Sequence, residues 1–400
     1  MPDQPASVIL RRLVRPVYLP SAAAGIAVGM LVPVLPLYLR DNGSSFSAIS
    51  TVLAAAGLGS ILGGLPAGVL LARFSERRVL AGALVVMAVT AALLGLVTTT
   101  LALVAFRLMF GIGTTGARLA VQSQVTRTVR PAVRGRAMAY IGGSMRSALF
   151  VGPLLGGVLL DWFGFAPTFV VCGALAALGS VGLVRSGATP EQPDTLPNPF
   201  PAGMASSFLS HWRRMVVGGV GAALVLTARE GRYVVLPLIA DDLGLSAAAV
   251  GALVAAGTGA DLALFPLSGH LMDRHGRLFA IVPAFSLMAI GLSILALADS
   301  AAMVGVSGVV MGVGNGMSSG TLMTVGSDLA PSESPGPFLA GMATIGDGGK
   351  VLGPLVVGVS ADAFGLSVAP AVLAVILAVA IVYLIVVVGE TSVASTARPA

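Results

Sequence analysis

Charged side chains are scarce in this sequence. Only 10% of its 400 residues are charged, whereas 56% are hydrophobic. Soluble domains carry about 25% charged residues, because a globule in water has to present a polar surface. The shortage of charge therefore excludes an ordinary water-soluble fold and indicates a chain that is solvated by a lipid bilayer.

Cysteine and histidine are almost missing as well. The single cysteine, Cys172, excludes a disulfide within the chain and a thiol-rich metal site. His270 and His275 are too isolated to suggest a metal site. The GxxxxGK[ST] loop that binds nucleotide phosphates does not occur. We therefore expect no metal, no cofactor, no ATP-driven pumping and no enzymatic activity.

Long apolar runs are what the sequence contains instead. A membrane-spanning helix needs about 20 mostly apolar residues. Twelve such runs are present, at 17–39, 47–72, 79–98, 101–121, 137–160, 167–184, 215–239, 247–272, 278–298, 301–326, 338–361 and 368–388. The first run is longer than the apolar core of a signal peptide, which has about 7–15 residues. The sequence predicts an all-α membrane protein with twelve transmembrane helices, called spans 1–12 below.

The arginines lie unevenly on the two sides that these spans define. If the N-terminus is cytoplasmic, Arg40 falls in an outer loop, and the outer loops otherwise carry aspartates. The arginines of the inner side are Arg11, Arg12, Arg15, Arg73, Arg77, Arg78, Arg127, Arg130, Arg134, Arg136, Arg185, Arg213, Arg214, Arg274, Arg277 and Arg398. This positive-inside pattern predicts a multi-pass protein of the bacterial cytoplasmic (inner) membrane with both termini cytoplasmic. It also accounts for the net charge of +6 without a nucleic-acid partner.

The second half of the chain repeats the first at a constant offset. The motif "VLPLYLRD" with Pro36 matches "VLPLIADD" with Pro237, a difference of 201 residues. The same difference of 201 separates three further pairs of motifs. These are the glycines of "FGIG" and "MGVG", the Gly-Pro pairs of "VGPLLGG" and "LGPLVVG", and the loops "DWFG" and "DAFG". A constant offset indicates duplication, so we expect two pseudo-symmetric six-helix bundles, 1–184 and 215–400. A Pro-rich stretch, 185–214, is expected to be a cytoplasmic linker between them.

The loop after span 8 carries the most specific motif. The segment "SGHLMDRHGRL" resembles the loop signature G-x-x-x-D-R-x-G-R of the major facilitator superfamily, with matches at Gly269, Asp273, Arg274, Gly276 and Arg277. The first-half copy, "PAGVLLARFSERR", is degraded. It keeps Gly68, Arg73, Arg77 and Arg78, but Ala72 stands at the acidic position and Ser75 at the second glycine.

Two further motifs support the same resemblance. The segment "RLMFGIG" is similar to the family's fourth-helix motif. The segment "GPLLGG", with Gly152, Pro153, Gly156 and Gly157, is similar to the fifth-helix motif associated with drug:proton antiporters. The alternative is ordinary packing of small residues between membrane helices. The resemblance implies the major facilitator fold and the 12-helix drug:proton antiporter branch. It also implies that Asp273 contacts the start of span 5, near Arg136, and holds the cytoplasmic side closed.

Charges inside the membrane are costly and indicate functional sites. Six cationic and three acidic residues fall within the spans: Arg107, Arg118, Arg146, Arg229, Arg232, Lys350, Glu230, Asp261 and Asp347. Three positive charges therefore lack an acidic partner, and water, an anionic substrate group or lipid has to neutralise them. All nine charged residues lie on spans 4, 5, 7, 8 and 11. None of them lies on a span whose equivalent is peripheral in the family.

These charges divide into two groups of candidates. Many drug antiporters of the family carry an acidic residue in the first helix, but spans 1–6 contain none. The candidates for proton coupling are therefore Glu230, Asp261 and Asp347. The candidates for the substrate cavity are Arg107, Thr114, Arg118, Arg146, Arg229, Arg232, Tyr233, Asn315 and Lys350. Structural alternatives are a gate salt bridge for Asp347 and Lys350, snorkelling for Arg118 and a helix-to-helix hydrogen bond for Asn315.

These observations together predict a secondary active transporter. We expect proton-coupled efflux of small, largely apolar compounds by alternating access of the two bundles. The expected partners are the lipid bilayer, a small-molecule substrate and protons, and we expect a monomer. One alternative is a uniporter or symporter of a specific anionic metabolite, and another is a lipid flippase or a membrane scaffold. A scaffold does not need to keep buried charges, so the charge pattern argues against it.

Overall fold

The computed structural model describes residues 13–184, 204–332 and 335–391, and these are almost entirely helical. After a π-helical turn, Val14–Tyr18, the first half contains α1 Leu19–Asp41, α2 Phe46–Leu62, α3 Gly64–Arg73, α4 Glu76–Leu94, α5 Thr100–Thr128, α6 Pro131–Phe163 and α7 Phe165–Val184. The second half contains α8 Met204–Asp242, α9 Ala247–His275, α10 Arg277–Ala296, α11 Ala301–Met317, α12 Thr321–Leu329, α13 Pro335–Phe364 and α14 Val368–Tyr383, followed by a π-helical turn, Leu384–Val388.

Each predicted span overlaps one of these helices or a broken pair. Span 2 is broken into α2 and α3, which are bent by 41°. Span 10 is broken into α11 and α12 at Gly320, whose φ of +77° suits a residue without a Cβ. By length and apolarity, eight described helices are able to cross a membrane, or nine with the bent pair. The helix α8 is not among them, because Arg229, Glu230 and Arg232 interrupt its apolar run.

The predicted linker and the start of α8 overlap. Residues 204–214, the last part of that linker, are helical and continue into α8, which is 39 residues long. At a rise of 1.5 Å per residue, such a helix is about 58 Å long and exceeds the hydrocarbon thickness of a bilayer. Residues 185–203 lie outside the described part of the chain.

The chain forms two compact units. The first consists of Met1–Tyr38 and Ala55–Pro199, and the second of Leu39–Ala54 and Phe200–Ala400. The end of α1 and the first half of α2 therefore group with the second unit, although the repeat places them in the first half of the sequence.

Helices pack in the same pairs in both units. In the first unit α1 packs on α6, α2 on α5, and α4 on both α5 and α7. In the second unit the equivalent pairs are α8 with α13, α9 with α11, and α10 with α11 and α14. The repeat seen in the sequence is thus a repeat of helix packing.

Glycines allow these pairs to approach backbone to backbone. A Cβ atom at Gly111 would overlap the carbonyl oxygen of Ala56, and one at Gly312 would overlap that of Gly257. Both members of the second pair follow those of the first by 201 residues. Close helix packing in lipid requires small residues. This requirement explains the glycines of the repeated motifs.

One ion pair occurs at the same place in both units with its charges exchanged. In the first unit Arg127 lies 2.9 Å from Glu76, and in the second Arg277 lies 2.9 Å from Asp328. Glu76 and Arg277 are equivalent under the offset of 201, and so are Arg127 and Asp328. Each pair ties the start of one helix, α4 or α10, to the end of the helix that packs beside it.

We predict that this first-unit pair tolerates exchange of its two charges. Glu76→Arg or Arg127→Glu places like charges together and should lower the free energy of unfolding by up to about 1 kcal/mol, the range for half-exposed pairs. The double variant should recover most of that loss. Melting temperatures of the purified protein measure the effect. A loss in the double variant equal to the sum of the two single losses would show that the pair contributes nothing as a pair.

Candidate functional site

The second unit contains a buried acid–amide pair. Asp261 on α9 and Asn315 on α11 are 6% and 9% exposed. The amide nitrogen of Asn315 donates a hydrogen bond of 2.8 Å to the Asp261 carboxylate. Asn315 thus bonds a neighbouring helix, which was one of the two predicted roles. Its amide oxygen is buried and has no partner among the described residues.

A buried arginine lies next to this pair. Arg232 on α8 is 6% exposed, and Asp261 is among the charges that act on it. Its guanidinium donates to the hydroxyl of Tyr233 at 2.8 Å and to the carbonyl oxygen of Met311 at 3.3 Å. The guanidinium is therefore held by neutral oxygens of α8 and α11 as well as by the field of Asp261.

A small cavity of about 20 Å³ adjoins the guanidinium of Arg232. It lies among α8, α9 and α11 and is otherwise lined mainly by apolar side chains and glycine. The Nε atom of Arg232 is buried and has no partner among the described residues. The volume suffices for about one water molecule, which is enough to hydrate one polar group inside the unit.

Arg229 lies one turn before Arg232 on α8. Its guanidinium donates to the hydroxyl of Ser318 at the break between α11 and α12, and it lies 5.6 Å from the ring centroid of Phe285.

A second group of charges lies where α8 packs on α13. Lys350 and Asp347 form an ion pair of 2.9 Å within α13, as their spacing predicts. The charges that act most strongly on Glu230 are those of Lys350 and Arg232. Gly353 brings the two helices together here, because a Cβ on it would lie 2.5 Å from the carbonyl oxygen of Thr227.

Three candidates of the first unit, Arg107, Thr114 and Arg118, form no comparable cluster among the described residues. Arg107 on α5 lies 5.4 Å from the ring centroid of Phe110 and, among the described residues, has no ion pair. Thr114 donates its hydroxyl to the carbonyl of Gly111, in its own helix. Arg118 is exposed, in accord with snorkelling. Arg107 and Arg118 are 11 residues apart, or about 16 Å along the helix.

The fifth-helix motif lies on α6 where that helix contacts α1. A Cβ at Gly152 would lie 2.7 Å from the carbonyl oxygen of Ile26, and one at Gly156 would lie 2.8 Å from that of Met30. Pro153 and Gly157 are buried beside them. Close packing therefore accounts for the glycines at 152 and 156, and an antiporter role for the motif stays a prediction.

The loop signature has a structural role that the sequence analysis missed. Gly276 has a φ of +98°, and the carboxylate of Glu390 accepts hydrogen bonds of 2.9 Å from the backbone nitrogens of Arg277 and Leu278. Asp328 binds the guanidinium of Arg277 and the hydroxyl of Thr391. The chain segment after α14 is thereby fastened to the start of α10.

Among the described residues, Gly68, Gly269, Arg73 and Arg274 of the signature make no such contacts. Arg73 and Arg274 are exposed, and a Cβ at Gly68 or Gly269 would meet open space. The side chain of Asp273 lies outside the described residues, so its predicted contact with the start of span 5 stays a prediction.

The predicted outer end of the second unit holds two further contacts. Arg40 at the end of α1 lies 3.2 Å from Asp241 and also contacts Asp242. The carboxylate of Asp362 accepts hydrogen bonds from the first backbone nitrogens of α2, those of Phe46 at 3.1 Å and Ser47 at 2.9 Å. A carboxylate at a helix N-terminus is favoured by the helix dipole.

The amino-acid sequence was compared with family models and known proteins. The model of the Major Facilitator Superfamily matches residues 17–336 and again residues 218–400, and the two matches begin 201 residues apart. The chain belongs to the Major Facilitator Superfamily. An uncharacterised transporter of this superfamily from Methanocaldococcus jannaschii is 21% identical over 86% of this chain and 89% of its own length.

A multi-drug resistance efflux pump homolog of Lactococcus lactis is 28% identical over 39% of this chain. The alignment covers 40% of that pump, and the alignment with a superfamily transporter of Metarhizium rileyi covers 39% of that protein. The chain thus spans about two fifths of the length of these two relatives.

Solved structures of the superfamily have the same fold. The nucleoside transporter NupG aligns with a TM-score of 0.73 at 13% identity over 95% of this chain and 98% of its own. A bacterial homolog of the human lysosomal transporter Spinster aligns with a TM-score of 0.72 at 16% identity, over 96% of both chains. At these identities the likeness concerns the fold. The prediction of an all-α membrane protein with the major facilitator fold is confirmed.

We predict that the contact of Asp362 with α2 depends on pH. The hydroxyl of Ser47 above all, with the backbone nitrogens of Ser47 and Phe46, lowers the pKa of Asp362. A lowered pKa in the folded state gives stability that is present above the ordinary aspartate pKa of about 4 and is lost as the pH falls through the lowered value. Asp362→Asn should therefore melt below the wild type at pH 7, and the difference should vanish in acid.

Asp299→Asn, which changes an exposed outer-loop carboxylate, is the matched control and should melt like the wild type at all pH values. A constant difference between wild type and Asp362→Asn from pH 7 down to the acid limit would contradict the assignment.

Proposed function

We propose that this superfamily member is a proton-coupled exporter of small, largely apolar compounds and works by alternating access. The observation that carries the proposal is the buried carboxylate of Asp261, held by the amide of Asn315 beside the guanidinium of Arg232. A charged group inside a membrane is costly and indicates a functional site.

Protonation of Asp261 would change the balance of forces among α8, α9 and α11. The charged carboxylate attracts Arg232, whereas a neutral acid does not. Arg232 would then be held by Tyr233 and Met311 and by the charge of Glu230, which are interactions within α8 and between α8 and α11. Proton binding thus weakens the tie to α9, and this is the kind of differential interaction that shifts a conformational equilibrium.

Glu230 is the second coupling candidate. It lies on α8 where Gly353 of α13 packs closely, and Lys350 and Arg232 provide the strongest nearby charges. Asp347 is the least suitable of the three candidates, because Lys350 already neutralises it at 2.9 Å. All three lie in the second unit, which accords with the absence of acidic residues from spans 1–6.

Export of drug-like compounds is supported by the efflux function in the name of the Lactococcus lactis relative. The second candidate function is uniport or symport of a specific anion. It is favoured by Arg107, which has no ion pair among the described residues and sits against an aromatic ring. Under either function we propose a monomer in the bacterial cytoplasmic membrane. The distribution of the arginines favours a topology with both termini inside.

We predict that the two acidic residues couple transport to protons. A ligand is first selected from apolar, drug-like compounds by its effect on the melting temperature. In proteoliposomes, Glu230→Gln or Asp261→Asn should reduce accumulation driven by a pH gradient to the level of protein-free liposomes. Counterflow of the same ligand without a gradient should continue, because binding and the conformational exchange do not need the proton.

Asp299→Asn serves as the control, since it removes an exposed carboxylate outside the membrane and should accumulate the ligand normally. If both acidic variants accumulate it as the wild type does, the carboxylates are structural and the antiport proposal is wrong.

A further inference from the structure

The first unit has a cavity that the proposed coupling site does not use. It lies between the π-helical turn that precedes α1 and the first half of α6 and has a volume of about 550 Å³. Ligand pockets for drug-sized molecules have volumes of about 300–1,000 Å³. The side chains and backbone that line it include Tyr18, Arg136, Tyr140, Gly143, Ser144 and Ser147.

The wall contributed by α6 carries polar side chains along one face, with Ala139 and Gly143 between them. Residues 136, 140, 143, 144 and 147 are spaced so that they share one face of the helix. A stripe of arginine, tyrosine and serine is unfavourable against lipid tails. Gly143 lacks a side chain, and a Cβ placed on it would meet open space. This face of α6 is therefore built to meet a polar or amphiphilic molecule.

A positive charge marks one end of the cavity. Arg136 is exposed, and among the described side chains, which do not include that of Asp273, no carboxylate pairs with it. A guanidinium offers five hydrogen-bond donors in a fixed plane and binds carboxylate, sulfonate or phosphate groups in a bidentate manner. The ligand group at this end should be an anion.

Free hydroxyl groups lie along the rest of the cavity wall. Within the described residues, Ser144 and Ser147 donate to no carbonyl of their own helix, unlike Thr128 and Ser360, which bond the carbonyl four residues earlier. The hydroxyl of Tyr18 is buried and also has no partner there. These hydroxyls suit a second, neutral polar group of the ligand.

Two aromatic rings lie between the ends. The ring centroids of Tyr18 and Tyr140 are 6.1 Å apart, and the rings are tilted by 43°. Arg136 and Ser147 are 11 residues apart, which is about 16 Å along the helix. The spacing fits a ligand with a flat apolar body between an anionic group and a neutral polar group.

We propose that this cavity binds an organic anion with an aromatic body, its anionic group at Arg136 and a distal hydroxyl or carbonyl at Ser144 and Ser147. The proposal rests on the proposed export function and names its substrate class. Arg136 lies at the predicted cytoplasmic end of span 5, which is the side from which an exported compound would enter. An anionic lipid headgroup would bind Arg136 in the same way, but the acyl chains of the lipid cannot hydrogen-bond to the serine hydroxyls.

The test measures binding without a gradient, by equilibrium dialysis of 6-hydroxy-2-naphthoate against the full chain in nanodiscs of neutral phosphatidylcholine. Arg136→Gln should raise the Kd by about tenfold or more, because a charge-assisted hydrogen bond is lost. Arg213→Gln, which removes an exposed arginine of the second unit, should leave it unchanged. Tyr140→Leu should weaken binding, and Tyr140→Phe, which keeps the ring, should preserve it.

The serines provide a second comparison. Ser144→Val with Ser147→Val should weaken binding of 6-hydroxy-2-naphthoate but leave that of 2-naphthoate, which lacks the distal hydroxyl, unchanged. Unchanged affinity in Arg136→Gln would overturn the proposal. So would the absence of naphthoate binding together with Arg136-dependent binding of phosphatidylglycerol, since the site would then be a lipid site.

The two proposals fail separately. If naphthoate does not bind but transport remains gradient-driven and sensitive to Asp261→Asn, the cavity assignment alone is wrong. If naphthoate binds as expected and the acidic variants still accumulate ligand, proton coupling alone is wrong.

Discussion

The close approach of paired helices through glycine is the constraint on which both units depend. In lipid, helices gain little from burying apolar surface, and association depends on tight packing of small residues. Gly111 and Gly312 each face a carbonyl oxygen of the neighbouring helix with no room for a side chain. The same pairs occur in both units, so a duplicated sequence has kept one packing solution while its other residues changed.

This packing also determines where the charges lie. Gly353 brings α8 against α13 beside Glu230, and Gly316 packs α11 on α9 at Asp261. Charged side chains on neighbouring helices are therefore close without a loop to position them. In the first unit the equivalent packing is present, but its helices carry no acidic residue at these places. The two units thus share one helix packing but differ in their acidic residues. The proposed coupling rests on the acidic residues of the second unit.

The fold was predictable from the sequence to a greater extent than the site. Apolar runs and the offset of 201 gave the helices and their repeat, because membrane spans and duplications leave long-range patterns. The breaks near Gly63 and Gly320 were missed, since glycine is common in membrane helices and rarely marks a break by itself. The roles of Glu390 and Asp328 depend on three-dimensional contacts. The offset of 201 did contain one indication of the ion pair of Asp328. It places Arg277 at the position equivalent to Glu76, so the charge is exchanged between the two halves.

The glycine account is tested most directly by adding one methyl group at chosen positions and measuring the melting temperature. Gly111→Ala and Gly312→Ala should each destabilise the protein by about 1–3 kcal/mol or more, the cost of overpacking. Gly348→Ala is the control, because a Cβ there meets nothing within 4 Å, and it should leave the melting temperature unchanged or raise it. A wild-type melting temperature in Gly111→Ala or Gly312→Ala would contradict the account.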